Sequence, residues 1–371
     1  MNMPNLIGLY IHVPFCSSKC PYCDFFSMCA TQSTMDEYTK CIIDKIYSES
    51  ERIGRKADTL YFGGGTPSLL GGERIAHITE AARKAFGLEN AEITVEANPD
   101  GDLSAFFHEI AAAGVNRVSF GLQSAEEEEL RLLGRKHTAE DAARAVEDAR
   151  KAEIENISLD LMLAVQGQTE KSLLHSINFC TGLDVPHLSA YLLTLEPHTV
   201  YWKNRAELHL PSEDETAALY LFACGELEKR GLRQYEISNF AKPGRESRHN
   251  LKYWHGEEYL GLGPSAHSYL SGKRFHWERS LRGFLRGDEP VQDGAGGDFD
   301  EFAMLSLRLT AGLTDRACRA RFGFPVPARL KKAAQLYEPR GLTICTENGF
   351  HFTPHGFLLS DYLTGEILFA R

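Results

Sequence analysis

The sequence predicts an α/β fold, because short runs rich in β-branched and aromatic residues alternate with longer runs of helical periodicity. Such alternation implies right-handed crossovers between parallel strands of one sheet. The length of 371 residues suits one large domain, or a large domain followed by a small one. A hydrophobic content of 43% and a charged content of 25% indicate a folded globular chain.

Six strands and six helices are predicted in the first part of the chain. The strands cover 6–13, 59–62, 92–96, 115–120, 157–162 and 187–193. The helices cover 35–53, 73–86, 103–113, 138–151, 170–180 and 213–230. This pattern does not decide whether the sheet is open or curved into a barrel.

The alternation ends near residue 231, so we divide the chain into 1–232, a connecting region 233–293 rich in His, Tyr and Trp, and a small α+β domain 294–371. The last domain begins with a predicted exposed linker, 294–300. Helices at 302–309 and 328–337, a hairpin 342–352 turning at Asn348-Gly349 and a final helix or strand 356–369 follow it.

Charge and hydropathy exclude several classes of function. The net charge of −11 argues against nucleic acid as a partner. No run of 18 uncharged apolar residues occurs, and the N-terminus lacks a basic segment followed by an apolar one. We therefore expect a cytoplasmic protein with no integral membrane segment. The acidic run 126–129 is interpreted as a solvated helix face.

Three cysteines lie directly after the first strand, with the spacing Cys16-x3-Cys20-x2-Cys23. Thiolates select iron–sulfur clusters, zinc or copper. Three ligands from one loop favour a four-iron, four-sulfur cluster with one open iron, because a closed site requires a fourth ligand. Zinc with His12 or Cys29 as that fourth ligand, copper, and inert thiols are the alternatives.

Polar or glycine-rich segments follow the predicted strands at their carboxyl ends, where ligands bind parallel sheets. The second strand ends in a Gly63-Gly64-Gly65-Thr66-Pro67 turn, which lets backbone groups approach an ammonium closely. The next three strands supply Glu96, Gln123 and Asp160. Each has a simple structural alternative when taken singly, but together they indicate one ligand site.

The cysteine spacing, with the aromatic Tyr22 before the third cysteine, resembles the radical S-adenosylmethionine superfamily. This resemblance implies a partial (β/α)6 barrel and S-adenosylmethionine chelated to the open iron. It also implies a set of residues that bind S-adenosylmethionine. The set comprises Tyr10, Tyr22, Gly64, Gly65 and Thr66, Glu96 and Arg135 at the methionyl end, and Gln123 and Asp160 at the ribose.

Longer motifs resemble the HemW family of haem chaperones, which are relatives of oxygen-independent coproporphyrinogen III oxidase. They include Tyr10 to Cys16, Gln234 to Phe240, Ser247 to Trp254 and Tyr259 to His267. The resemblance implies a carrier that binds haem through His249 and delivers it to an acceptor, a respiratory haem enzyme, as a monomer or dimer. The C-terminal order of elements also suggests a winged helix, but the acidic charge opposes an interaction module for nucleic acid.

Two features favour the carrier over the oxidase. The oxidase has a fourth cysteine where this chain has Phe25, and it has a longer extension before the first cysteine than the 15 residues here. One departure from the family is the loop 164–169, which reads Ala-Val-Gln-Gly-Gln-Thr where the family has Gly-Leu-Pro-Gly-Gln-Thr. This departure predicts altered loop geometry beside the ribose.

Overall fold

The structure is a computed structural model that describes residues 6–369, and its centre is a set of six parallel strands paired in chain order. They are β1 (Ile7–Val13), β2 (Ala57–Gly64), β3 (Glu92–Ala97), β4 (Arg117–Gln123), β5 (Asn156–Leu163) and β6 (His187–Leu192). Every residue of β1 except Tyr10 is buried, as expected for a strand covered on both faces. The α/β prediction is confirmed.

Helices connect these strands and follow the last of them. They are α1 (Gln32–Ile53), α2 (Gly72–Phe86), α3 (Ser104–Ala112), α4 (Glu127–Leu132), α5 (Ala139–Lys151), α6 (Glu170–Gly182), α7 (Val200–Lys203) and α8 (Glu213–Lys229). Thr138, Thr169 and Ser212 begin α5, α6 and α8 with reciprocal capping boxes. Their side chains satisfy backbone donors that the first helical turn leaves unpaired.

The segment after α8 adds strands to both sides of the parallel set. Its elements are β7 (Arg233–Gln234), β8 (Asn239–Ala241), α9 (Arg248–Trp254), β9 (Tyr259–Leu262), β10 (His267–Leu270), β11 (Lys273–His276), α10 (Leu281–Arg286) and β12 (Val291–Ala295). The sheet then has twelve strands, in the order β12-β11-β10-β9-β1-β2-β3-β4-β5-β6-β8-β7. The predicted linker 294–300 is partly strand, because β12 extends through Ala295 and Asp298 caps the next helix.

The C-terminal part is a small α+β unit, as predicted. It contains α11 (Phe299–Ser306), β13 (Leu313–Thr314), α12 (Asp315–Phe322), α13 (Ala328–Gln335), β14 (Thr343–Thr346), β15 (Gly349–Phe352), α14 (Pro354–Phe357) and α15 (Ser360–Leu368). The predicted hairpin is present as β14–β15, but its turn is formed by Glu347 and Asn348, one residue earlier than predicted, because Gly349 already pairs with Thr346 as the first residue of β15. The final segment is helical. The three domain boundaries stay a prediction.

The acidic run 126–129 is not entirely solvated, so that interpretation is wrong for its last residue. Glu129 is 4% exposed and accepts hydrogen bonds from Ser124 Oγ at 2.6 Å and Gln168 Nε2 at 3.2 Å. The side chain points inward because its position on α4 faces the loop that carries Gln168. No helix within residues 6–369 combines the length and the apolar character needed to cross a bilayer.

Candidate functional site

A cavity of about 710 Å³ lies at the carboxyl ends of the parallel strands, beneath the loop that carries the three cysteines. Most of the predicted ligands line it together: Cys16, Cys20, Cys23, Tyr22, Gly64, Gly65, Thr66, Glu96, Gln123, Arg135 and Asp160. Tyr10 and His249 are not among its lining residues. The shared edge of a parallel sheet brings these distant residues to one place.

The cysteine loop is closed at its base by the backbone. Cys16 N–H donates to the Met28 carbonyl at 3.0 Å, and Met28 N–H donates to the Pro14 carbonyl at 2.9 Å. Within the loop, Cys23 N–H donates to the Cys20 carbonyl at 3.2 Å. The loop therefore returns to β1 and presents its three thiols from one closed turn.

The glycine turn after β2 packs directly against β1 and the base of this loop. A Cβ on Gly64, whose φ is +107°, would lie 2.5 Å from the His12 imidazole. A Cβ on Gly65 would lie 2.6 Å from the Phe15 carbonyl oxygen. The amides of Gly65 and Thr66 donate to Val13 and Phe15 carbonyls at 2.8 and 2.7 Å. With these donors used, the turn has acceptors to offer a ligand, which suits an ammonium group.

Thr66 and Asn98 connect two sides of the cavity. The Thr66 hydroxyl lies 3.4 Å from Cys16 Sγ and accepts from Asn98 Nδ2 at 3.2 Å. Arg135 Nη2 donates to Asn98 Oδ1 and to the Gly121 carbonyl, both at 2.7 Å, while Nη1 lies 3.7 Å from Cys20 Sγ. Arg135 therefore places a fixed positive charge beside the Cys20 sulfur.

Two carboxylates lie at the other side of the cavity. Glu96 Oε1 accepts from the Tyr61 hydroxyl at 2.7 Å, and burial raises the pKa of Glu96 to about 7. Asp160 Oδ1 accepts from Ser119 Oγ at 3.2 Å, and burial also raises the pKa of Asp160. Gln123, next to them, has a φ of +72°, a strained backbone geometry of the kind that clusters at functional sites.

Tyr10 lies on β1 below the cavity. Its hydroxyl donates to His12 Nδ1 at 3.2 Å, and His12 Nε2 lies 2.9 Å from the Phe26 carbonyl. Burial lowers the pKa of His12 to about 4, so the imidazole is neutral near pH 7 and its Nε2–H donates to Phe26. Tyr10 thus holds the cysteine loop through His12.

His249 lies in α9 and does not line the cavity. It is 1% exposed, its Nδ1 lies 2.7 Å from Thr59 Oγ1, and its Nε2 lies 2.8 Å from the Tyr253 hydroxyl. Its ring also stacks on Tyr61 with centroids 5.1 Å apart. Both ring nitrogens are therefore engaged inside the protein in this conformation.

The thiols do not form a compact single-ion site. Within residues 6–369, only His267, His276 and Asp293 place three candidate ligand atoms within 4.8 Å of one another. His12 is bonded at both nitrogens, and the exposed Cys29 thiol donates to the Ser17 carbonyl at 3.6 Å. A wider set of three thiols with no fourth ligand fits an iron–sulfur cluster better than zinc.

Several lining residues were not predicted as ligands, namely Asn98, Ser119, Tyr191 and Glu196. Asn98 was recognisable as a polar side chain just past a strand end. Ser119 lies within β4, where it has no such signal, and Tyr191 lies near the end of β6, for which no ligand was predicted.

Two family models match parts of the chain. The model of the Radical SAM superfamily matches residues 10–180, and that of the HemN C-terminal domain matches residues 299–359. A solved structure with a similar fold is the coproporphyrinogen III oxidase HemN from Escherichia coli, described as a radical SAM enzyme. Its TM-score is 0.84 at 22% identity, covering 99% of this chain and 91% of that chain.

Relatives of known name match at higher identity. The heme chaperone HemW of Bacillus subtilis (strain 168) is 36% identical over 97% of this chain and 98% of its own length. The heme chaperone HemW of Mycobacterium tuberculosis (strain H37Rv) is 35% identical over 97% of this chain and 94% of its own length. The heme chaperone HemW of Escherichia coli (strain K12) is 37% identical over 76% of each chain. The chain belongs to the HemW family.

Proposed function

We propose that this protein is a cytoplasmic haem carrier that binds haem and delivers it to an acceptor, a respiratory haem enzyme. The observation that carries the proposal is the identity of 36% along nearly the full length of a relative named heme chaperone HemW. Phe25, which occupies the position of a fourth cysteine in the oxidase pattern, supports the carrier over the oxidase. We propose a monomer or dimer for the active form.

Cys16, Cys20 and Cys23 would hold a four-iron, four-sulfur cluster, and the cavity beside them would hold S-adenosylmethionine. The donor chemistry supports this assignment, because three thiols from one closed loop share the cavity with acceptors and carboxylates. When bound, the cluster supplies one-electron chemistry and an open iron for the amino and carboxylate groups of S-adenosylmethionine.

Different residues of the cavity would then bind different parts of S-adenosylmethionine. Glu96 and the carbonyls of Gly64 and Gly65 would accept hydrogen bonds from the amino group, which keeps N–H donors when its lone pair binds iron, while Thr66 donates toward Cys16. Arg135 stays fixed beside Cys20 at the methionyl end. Gln123 and Asp160 bind the ribose hydroxyls, and Tyr22 covers the cysteine side of the cavity. Tyr10 would not touch S-adenosylmethionine and would instead position the cysteine loop through its hydrogen bond to His12.

For haem we propose ligation by His249 from an opened state of α9. In the closed state both ring nitrogens are hydrogen-bonded and the side chain is 1% exposed. Burial lowers the pKa of His249 to about 3, so the ring is neutral and retains a lone pair for iron once one hydrogen bond is released. Tyr253 and Trp254 on the same helix would supply apolar contacts to the macrocycle.

The test compares haem and coproporphyrinogen III as ligands of the anaerobically purified, cluster-reconstituted protein. We expect one haem per chain by absorbance titration and transfer of that haem to an apo-cytochrome. We expect no protoporphyrinogen IX. Conversion of coproporphyrinogen III with consumption of S-adenosylmethionine would overturn the carrier and establish the oxidase.

A further inference from the structure

Three side chains that the proposed function does not use meet on neighbouring strands near one edge of the sheet. His267 begins β10, His276 ends β11, and Asp293 lies in β12. His267 and His276 are directly paired in the antiparallel register of β10 and β11. The cluster lies beside the cysteine loop, since Arg279, which closely follows β11, forms an ion pair with Asp24 at 3.1 Å.

The ligand atoms of the three side chains converge. His276 Nδ1 lies 2.7 Å from Asp293 Oδ1, and His267 Nδ1 lies 3.8 Å from Asp293 Oδ2. All three ligand atoms lie within 4.8 Å of one another. Ligands about 2.0–2.2 Å from a tetrahedral zinc ion are about 3.4 Å apart, so small side-chain rotations would bring these atoms into a coordination sphere.

The backbone directs the Asp293 carboxylate toward the two histidines. In the pairing of β11 with β12, Arg274 is opposite Gly294 and Phe275 is opposite Gln292, so Asp293 is the extra residue of a β-bulge. Bulges redirect a side chain and are found beside functional sites. A regular ladder would leave Asp293 paired like any other edge residue, whereas the bulge turns it toward His276.

The donor set selects the class of ligand. Two imidazoles and one carboxylate suit zinc, iron(II) and other divalent transition metals, and three ligands leave further positions open. The two rings are stacked with centroids 5.1 Å apart and an angle of 27° between them. A haem with both histidines as axial ligands is excluded in this arrangement, because the macrocycle would have to lie between stacked rings that face the same carboxylate.

We propose that His267, His276 and Asp293 form a mononuclear site for a divalent transition-metal ion, separate from the cysteine site. The side chains of His267, His276 and Asp293 are 65%, 26% and 33% exposed, so an ion reaches them from solvent without opening the fold. An ordinary surface ion pair accounts for His276 with Asp293, but not for the second imidazole directed at the same carboxylate.

The experiment uses Co²⁺ as the probe with the full-length, cluster-reconstituted protein under anaerobic conditions. Bound Co²⁺ is counted by elemental analysis after desalting, and its spectrum reports the ligands, since thiolate ligands give strong near-ultraviolet charge transfer that nitrogen and oxygen ligands lack. We expect one Co²⁺ per chain without that band, displaced by Zn²⁺. His276→Gln and Asp293→Asn should each weaken Co²⁺ binding at least about tenfold.

The matched control is His175→Gln, because His175 Nδ1 lies 3.0 Å from Glu126 at the surface and this pair belongs to no three-ligand group among residues 6–369. This control should bind Co²⁺ like the unaltered protein. Circular dichroism and iron content verify that each variant keeps its fold and its cysteine site. Absence of bound Co²⁺, a thiolate charge-transfer band for it, or equal binding by His276→Gln would each overturn the proposal. None of these outcomes bears on haem binding, which is measured separately.

Discussion

His249 Nδ1 lies 2.7 Å from Thr59 Oγ1, which joins helix α9 to strand β2 through a buried hydrogen bond. The neighbouring amides reinforce this attachment, because Arg248 and His249 N–H both donate to the Glu92 carboxylate at 3.0 Å. The helix start is thereby fixed against two adjacent strands. Any role of His249 as a haem ligand depends on how easily this attachment opens.

Thr59→Val should tighten haem binding if His249 is the ligand. The substitution removes one hydrogen bond that holds His249 closed, worth about 1 kcal/mol, so the open form should be about fivefold more populated. His249→Ala should abolish binding. Haem titration by absorbance measures both affinities, and chemical denaturation measures any loss of stability.

Thr59→Val and His249→Ala together distinguish a role of His249 as haem ligand from a purely structural role. If His249 serves only to hold α9, Thr59→Val and His249→Ala will lower stability and leave haem affinity unchanged. That result would place the haem ligand on another residue. Tyr47→Phe, an exposed substitution on α1, serves as the neutral control.

The sequence predicted the parallel strands and most of the cavity, because parallel strands bring their carboxyl ends to one edge and each end shows a local polar signal. The position of His249 could not be predicted. Its burial depends on Thr59 and Glu92, which are distant in sequence and carry no local sign of a helix docked beneath them. The strands β9 to β12 were missed because each of these short runs is interrupted by glycine or by a charged or imidazole side chain, which hides the apolar pattern.

Gly64→Ala should disrupt the cysteine site more than a comparable glycine substitution elsewhere. The new Cβ would lie 2.5 Å from the His12 imidazole, and the φ of +107° is unfavourable for alanine. We expect a loss of about 2–4 kcal/mol in the free energy of unfolding and a reduced iron content. Denaturant titration and iron analysis after reconstitution measure these effects.

Gly54→Ala is the control, because Gly54 has a φ of +62° and its new Cβ would have open space around it, with no atom of residues 6–369 outside its immediate chain neighbours within 4 Å. The Gly54→Ala variant should lose only the free energy of placing alanine in a left-handed backbone conformation, about 1–2 kcal/mol, and it should keep its full iron content. Equal iron loss in both variants would show that backbone strain, not the contact with His12, controls the site.

Glu96→Gln should remove a pH dependence near neutrality. Burial raises the pKa of Glu96 from 4.5 to about 7, so the folded state favours the protonated acid. The contribution of Glu96 to the free energy of unfolding is fully present below pH 4.5, and it is lost as the pH rises through 7. The carboxylate accepts hydrogen bonds from the amino group more strongly than the protonated acid does, so S-adenosylmethionine should bind more tightly as the pH rises from about 6 to about 8.

Anaerobic calorimetry across this pH range gives the test. In Glu96→Gln the affinity should be about tenfold lower at the upper end of the range and nearly independent of pH, since a charged hydrogen bond is lost. The exposed Glu80, which pairs with Lys84 at 3.2 Å, provides the control Glu80→Gln. A slope that persists in Glu96→Gln would assign the pH dependence to another group.

Ala164→Gly should stabilise the protein, although it removes a methyl group. Ala164 has a φ of +59°, in the left-handed region that favours glycine. Relief of the left-handed strain outweighs the entropy that glycine adds to the unfolded chain, so we expect a gain of about 0.5–1 kcal/mol. Ala143→Gly, within α5, should instead cost about 1 kcal/mol. A loss of stability in Ala164→Gly would show that packing of the buried methyl group dominates.

Cys20→Ala should eliminate the iron–sulfur absorption, whereas Cys29→Ala should retain it. Cys20 lines the cavity and lies 3.7 Å from Arg135 Nη1, while the exposed Cys29 thiol points to the Ser17 carbonyl. With three thiolate ligands, loss of one leaves two and no replacement, because His12 is bonded at both ring nitrogens. Iron and sulfide analysis, together with the visible absorbance of the cluster, measure the outcome. Loss of the cluster in Cys29→Ala would identify a fourth ligand and leave no open iron for S-adenosylmethionine.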